Sequence, residues 1–331
     1  MTKSMKNVYK LMIVLLACAG ARGQDTVTNS YLQTNLVTDI TGKAPTTDPH
    51  LVNPWGLSRT ASSDWWIADE GTGVSTLYNG TGAIGSLVVT IPPASGTGTG
   101  TPTGTVALGS DFVFVTLDGT ISEWTGGTTA VIKVNNNGAV YTGCTLASDN
   151  SVTTLYVANA AGGVEAYTTS FTRVTLAPGA FVDSNIPAGY TPYGIQSAGG
   201  KIWVTFADGV GSGLGYVDAF SPSGTLLLSL QHGNWMNEPW GIAMAPASFG
   251  AFSKMLLVGN TGSGEIAAFN PTTGTFEGFL KNSAGKAITN AGLWAIYFGS
   301  GSTGSGPTTT LYFTAGIDNY LKGLFGTITA N

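Results

Sequence analysis

Three short motifs recur along this chain in a fixed order, and together they mark out six units. The first is an aromatic, a glycine and an apolar residue: Pro54-Trp55-Gly56-Leu57, Pro192-Tyr193-Gly194-Ile195, Pro239-Trp240-Gly241-Ile242 and, more loosely, Leu293-Trp294-Ala295-Ile296. Trp55 and Tyr193 lie 138 residues apart, three steps of 46, and the later steps are 47 and 54. Two degenerate copies are therefore expected between them, near Val106 and near residues 144–147. The second motif is an apolar strand with a polar end, at Asp69, Asp118, Asn159, Asp208 and Asn260, with a sixth copy at Leu311-Tyr312-Phe313-Thr314 that lacks the Asp or Asn. The third is an aromatic that closes a strand before a turn, at Tyr78, Trp124, Tyr167, Phe220, Phe269 and Phe325.

A unit of about 48 residues holding several short strands matches one four-stranded blade, and six of them predict a six-bladed β-propeller of antiparallel blades. One small sheet cannot bury both faces alone, whereas a ring of sheets buries each face against a neighbour. Gly-rich turns supply the positive φ of tight hairpins. Only 37 residues follow Trp294, about one strand short of a blade. The alternating segment at residues 31–38 is expected to supply the missing strand as the outer edge of the last blade, which removes an exposed sheet edge. Residues 94–104 and 301–306 read as loop insertions within blades.

Residues 1–23 read as an export signal: Lys3, Lys6 and Lys10 precede a short apolar stretch, and Ala21-Arg22-Gly23 suits cleavage before Gln24. The stretch is too short to span a bilayer. A competing reading takes Leu15-Leu16-Ala17-Cys18 as a lipobox, with the protein tethered through a lipidated Cys18. Secretion, or residence in the periplasm, is the expectation, with residues 24–331 as one propeller domain. Removal of the leader takes four of the 13 Lys+Arg and none of the 18 Asp+Glu, leaving nine against 18 and a net charge of −9. Nucleic acid and anionic membrane surfaces need a positive face, so both are poor partners. Cys144 alone would remain, so the domain is expected to do without an intrachain disulfide. A monomer with no transmembrane span is expected.

The N-terminal motifs, Leu36-Val37-Thr38-Asp39, Asp48-Pro49-His50-Leu51-Val52-Asn53-Pro54-Trp55-Gly56 and the run from Trp66-Ile67-Ala68-Asp69-Glu70 to Tyr78, resemble a family of uncharacterised secreted proteins of bacteria and some fungi. The resemblance extends over nearly the whole mature chain, but this chain lacks the sorting tail that some members carry. That family is in turn similar to the NHL-repeat, gluconolactonase-like and streptogramin B lyase propellers. The resemblance implies a fold and not an activity, because propellers host both binding proteins and metal-dependent enzymes.

In such a ring the inner strands begin, and the second strands end, on one face. Asp48, His50, Asn53, Tyr190, Thr191, Glu238 and Asn290 should converge there, ringed by the polar strand ends. Glu238, Asn53, Asn290 and Asp48 offer the hard oxygen ligands that Ca²⁺ or another divalent cation prefers. Gluconolactonase-like propellers imply such a site, where the ion would polarise a carbonyl and activate water. The competing reading ties Asn53 and Asn290 to the backbone and leaves Glu238 as a solvated acid. Asp and Asn at strand ends are good turn residues, with the acidic pair Asp69-Glu70 the best exception for ligand binding. His50 and His232, the only histidines, are candidate general acids or bases and too few for a three-histidine zinc site. Trp55, Tyr193, Trp240 and Trp294 recur at the blade period and are expected to pack between blades. Trp235, outside the register, is the better candidate for a ligand contact, together with Tyr190.

Two functions follow. One is an extracellular binding or scaffold protein that holds a small molecule, polysaccharide or protein at the central-channel face. The other is a divalent-metal-dependent hydrolase or lyase, lactonase-like or streptogramin-lyase-like, with its metal at the channel mouth.

Overall fold

The computed structural model describes residues 28–209 and 212–331. The export signal and Cys18 lie outside the described residues. Strands β1 (Tyr31–Thr38) and β2 (Thr46–Thr47) come before blade one, which is β3–β6 (Pro54–Ser58, Trp65–Asp69, Val74–Tyr78, Val89–Thr90). Blade two is β7–β10 (Pro102–Leu108, Asp111–Thr116, Thr120–Trp124, Val131–Asn135), and blade three is β11–β14 (Tyr141–Asp149, Val152–Asn159, Gly163–Thr168, Arg173–Val174). Blade four is β15–β18 (Thr191–Ala198, Lys201–Ala207, Tyr216–Phe220, Leu226–Ser229), and blade five is β19–β22 (Pro239–Met244, Leu256–Asn260, Ile266–Phe269, Phe276–Phe279). Blade six is built from β23–β25 (Leu293–Phe298, Leu311–Ala315, Leu324–Ala330) together with β1, in the order β23-β24-β25-β1, with β2 added in parallel outside.

The ring is thus a six-bladed β-propeller of antiparallel blades. It closes through β1, which pairs with β25 from Tyr31 opposite Ala330 to Thr38 opposite Leu324. Tyr31 latches this closure to blade five: its hydroxyl donates to the Phe249 carbonyl at 3.0 Å and accepts from the Phe252 N–H at 3.1 Å.

Strand alternation explains the core. On β8, Phe112 and Phe114 pack with Trp66 and Ala68 of blade one, while Val113 and Val115 pack with Cys144 and Leu155 of blade three. The same division holds around the ring, so each pair of adjacent blades shares one hydrophobic cluster. Trp66 lies flat on Phe112, with centroids 4.0 Å apart.

The aromatic–glycine step marks a structural event on the inner strand of every blade. The register between first and second strands shifts there, between Pro54 and Leu57, Pro192 and Ile195, Pro239 and Gly241, and Leu293 and Ile296. The two degenerate copies prove to be Pro102-Thr103-Gly104 and Tyr141-Thr142-Gly143, which carry the same bulge with Thr in place of the aromatic. A bulge bends the strand and re-aims one side chain. The glycine beside it meets the next blade: a Cβ on Gly56 would lie 2.6 Å from the Thr103 carbonyl, and one on Gly194 would collide with the Trp240 carbonyl. Inner strands can crowd the axis only because that side chain is missing.

Two details of the repeat differ from expectation. In the other blades the third-motif aromatic pairs with the first residues of the second strand, as Phe269 does with Leu256; in blade six that place belongs to Ile328 opposite Leu311, and Phe325 lies three residues earlier. Residues 94–104 join blade one to blade two instead of interrupting a blade, and their last three residues already belong to β7.

Candidate functional site

The bulged inner strands carry Trp55, Tyr193, Trp240 and Trp294 to the axis, where the rings pack on one another. Trp55 and Trp294 stack with centroids 3.5 Å apart, and Trp240 meets both edge-on at 6.2 and 5.9 Å. Tyr193 adds two more edge contacts, at 6.3 Å to Trp55 and 5.9 Å to Trp294. As the period predicts, the rings pack between blades, and they meet one another at the axis and fill it at this level. Trp240 Nε1 donates to the Thr142 carbonyl at 2.9 Å, and the Thr103 hydroxyl donates to the Tyr141 carbonyl at 2.8 Å, so the aromatic-free blades are tied in by hydrogen bonds.

Around this plug, on the face where inner strands begin, the expected residues have particular duties. Asn53 accepts from Trp294 Nε1 at 3.0 Å and donates to Glu70 Oε2 at 2.7 Å. Asn290 forms a reciprocal amide pair with Gln33, at 2.8 and 3.0 Å. Gln33 lies on β1, the outer part of blade six, so Asn53 serves the innermost strand of that blade and Asn290 its outer edge. Asp48 is buried; its Oδ2 accepts from the Tyr78 hydroxyl at 2.9 Å, while its Oδ1 lies 3.0 Å from Nδ1 of the exposed His50. His232 stacks on Tyr216 at 4.4 Å, and Tyr190 meets the same ring edge-on at 4.9 Å. Trp235 lies flat on Phe276 at 4.5 Å and donates to the Gln231 carbonyl. Among the described residues, no three His, Cys, Asp or Glu side chains are grouped so as to hold a metal ion.

The polar strand ends largely tie turns together. Asp118 accepts from the Ala94 N–H at 2.6 Å, Asn159 from Val140 at 3.0 Å and Asn260 from Asn237 at 2.9 Å, each fastening its turn to the loop that enters the same blade. Asp69 is fully buried and bonds Thr76 through Oδ2, while Oδ1 has no partner. Burial, more than the nearby charge of Asp48, raises its carboxyl well above the usual range.

Glu238 stands apart. It occupies left-handed backbone, φ 53°, immediately before Pro239. At the equivalent place blade one has Asn53 (φ 45°) and blade six has Gly292 (φ 64°), the residue types that tolerate this conformation. Glu has no such tolerance, and its side chain makes no hydrogen bond or ion pair among the described residues. Burial first, then the charge of Asp208, raises its carboxyl above the ordinary range. Glu238 in turn helps raise the phenols of Tyr193 and Tyr320, after burial as the main cause. Tyr320 closes a run of three left-handed residues, Asp318, Asn319 and Tyr320 at φ 55°, 54° and 65°, and its ring lies 5.7 Å from Trp294.

Where the inner strands end, the axis opens into a recess that motif reading alone does not pick out. Two adjoining lobes of about 190 and 180 Å³ share Arg59, Gln196, Ser197 and Tyr297. Arg59 lies over the rings of Trp65 and Tyr297, at 5.4 and 5.3 Å. Its Nε and Nη2 donate to the Phe298 carbonyl at 3.1 and 2.8 Å, and Nη1 donates to the Thr60 carbonyl at 3.3 Å. Burial lowers its pKa, opposed by Tyr297, yet a guanidinium keeps its charge. The repeat holds a signal for this site: four residues past each plug position stand Arg59, Ala107, Leu146, Ser197, Met244 and Phe298, a single cation among five uncharged residues.

No family model matches the chain. Two uncharacterized proteins of Acanthamoeba polyphaga mimivirus are similar to it: one is 28% identical, covering 88% of this chain and 78% of its own, and the other 24% identical, covering 85% and 81%. Among solved structures, a streptogramin B lyase superposes with a TM-score of 0.55 at 15% identity, covering 91% of this chain and 97% of its own. The PQQ-bound aldose sugar dehydrogenase of Streptomyces coelicolor superposes with a TM-score of 0.57 at 14% identity, covering 92% and 99%. These likenesses are to β-propellers. No described helix is long and apolar enough to cross a membrane.

Proposed function

We propose that this chain is an extracellular binding propeller, secreted or periplasmic, that holds its ligand over the plugged axis on the strand-start face, with Glu238 as anchor and Tyr193 and Tyr320 beside it. The observation that carries this reading is Glu238 itself, a residue in strained backbone where blades one and six use Asn and Gly, with a carboxyl that makes no hydrogen bond or ion pair among the described residues. Strain of this kind collects at binding and catalytic sites. A carboxyl that accepts, flanked by phenols that donate and accept hydrogen bonds, suits a neutral, hydroxyl-rich ligand such as a sugar. Asn53, Asn290 and Asp48 support binding over metal chemistry, because their side chains are already engaged with Trp294, Glu70, Gln33 and Tyr78.

The test pairs stability with binding. Glu238→Asn relieves the left-handed strain and should raise the unfolding free energy by about 1 kcal/mol. In a thermal-shift panel of neutral oligosaccharides and divalent metal salts, a sugar should stabilise the wild type and leave the variant unmoved. A variant no more stable than wild type, or one that keeps the sugar response, defeats the proposal. A stoichiometric divalent ion that copurifies with the wild type and is lost in Glu238→Ala would instead favour the hydrolase or lyase.

A further inference from the structure

The recess on the opposite face has its own chemistry and does not depend on Glu238. The chain carries 18 Asp+Glu against 13 Lys+Arg, so a cation has acids in excess to choose from. Among the described residues four ion pairs form, at His50–Asp48, Lys133–Glu123, Arg173–Glu165 and Lys322–Asp39. Arg59 takes part in none of them, although it is half-buried and fixed between two rings. Its three bonds to the Phe298 and Thr60 carbonyls occupy three of the five guanidinium N–H groups. Two remain, one on each terminal nitrogen, and spare donors on a fixed guanidinium suit a carboxylate.

The neighbours point the same way. Gln196 and Tyr297 line both lobes and the narrow part of the channel above them. Neither the Gln196 amide nor the Tyr297 hydroxyl has a hydrogen-bond partner among the described residues, so both have capacity to spare. The rest of the first lobe is apolar: Ile242, Ala243, Met244 and Phe298. A concave, mostly apolar space with a few convergent polar groups is how a small-molecule site is built. One positive charge balances a monoanion better than a dianion, and the apolar wall calls for a carbon body.

We infer that the channel mouth on the strand-end side is a binding site for a small organic monocarboxylate, with the carboxylate on Arg59, a polar substituent held by both Gln196 and Tyr297 and an apolar body against Ile242 and Met244. The recess is blind, because the Trp55–Trp294 stack fills the axis above it, so a ligand enters and leaves by one side.

Isothermal titration of the folded protein with 6-hydroxyhexanoate and 4-hydroxybenzoate, against 6-hydroxyhexanamide, 4-hydroxybenzamide and inorganic phosphate, tests the idea. The carboxylates should bind at least ten-fold more tightly than the neutral amides and than phosphate. Arg59→Gln should erase that preference, and Arg59→Lys, which keeps the charge and loses the guanidinium, should fall between. Arg59 also braces Phe298, so Gln196→Ala is the companion variant: the Gln196 amide has no hydrogen-bond partner among the described residues, the variant's melting temperature should match wild type, and its carboxylate affinity should drop several-fold. Equal binding of acids and amides, phosphate binding as tight as the carboxylates, or carboxylate affinity untouched in a folded Gln196→Ala protein would each overturn the assignment.

Discussion

Asp218, on the third strand of blade four, is 2% exposed, and its Oδ2 has no hydrogen-bond partner. Burial, with help from Asp183 and against the Ser229 hydroxyl, raises its pKa from 3.8 to about 7. Between those values the folded protein keeps a proton that the unfolded chain has lost, so stability falls as pH rises through that window. The accumulated penalty is about 4 kcal/mol at most. Asp218→Asn should therefore stabilise the protein at pH 8 and lose most of its advantage near pH 4, measured by denaturant unfolding at the two pH values. Glu165 has the opposite sign. Burial alone would raise it, but hydrogen bonds from Tyr167, Asn159 and Tyr141, and the charge of Arg173, outweigh burial and hold its carboxyl below the usual range. Its contribution is present at neutral pH and fades in acid, as the pH drops through the lowered value. Glu165→Gln should cost about 1–3 kcal/mol at pH 7, and the gap to wild type should narrow in acid.

At the level of strands, the inner-strand glycines are not equivalent, and the difference is measurable. A Cβ on Gly194 would strike the Trp240 carbonyl, whereas one on Gly143 would find its nearest neighbour, the Ile195 N, at 3.5 Å. Gly194→Ala should cost 1–3 kcal/mol, and Gly143→Ala should lie within about 0.5 kcal/mol of wild type in the same unfolding experiment. This is also where the legible part of the sequence ends. Period, blade count and the closing strand follow from spacing, because each marker answers to a repeated physical need: a bulge, a strand end, a ring in an interface. Blade six departs at Phe325 because an aromatic's spacing does not fix its strand partner: Phe325 pairs with Thr314 and packs against Tyr78 and Tyr312 from a different place in the strand. Topology puts the entry-loop residues just before the inner strands, yet spacing does not tell that Asn290 turns to Gln33 while Asn53 turns to Trp294. Side-chain partners belong to three dimensions, and a list of positions does not hold them. Arg59 was readable in principle, but only after the six blades had been aligned beyond the aromatic step.

For the molecule as a whole, cohesion rests on six interfaces and one closure. Cys144 is buried, and among the described residues it is the one free cysteine. The closure depends on contacts between residues about 220 to 300 apart, with Tyr31 bonded to Phe249 and Phe252 and β1 paired to β25. Tyr31→Phe removes the hydroxyl that serves both backbone partners and should cost about 1–2 kcal/mol, seen as an earlier unfolding midpoint with an unchanged slope. The same closure has a consequence for how the chain is strung. Asn331 donates from its backbone N to the Ser30 carbonyl at 3.0 Å and from its side chain to the Ser30 hydroxyl at 2.9 Å. Joining Asn331 directly to Ser30 would turn the β25–β1 pair into an ordinary hairpin with a two-residue loop. With new ends opened in the exposed stretch around Gly96 and Gly98, the most distant pairing in the ring becomes a local one. Such a circular permutant should refold faster than the natural order at similar stability, because the search that must now unite two chain ends would be replaced by closing a short turn.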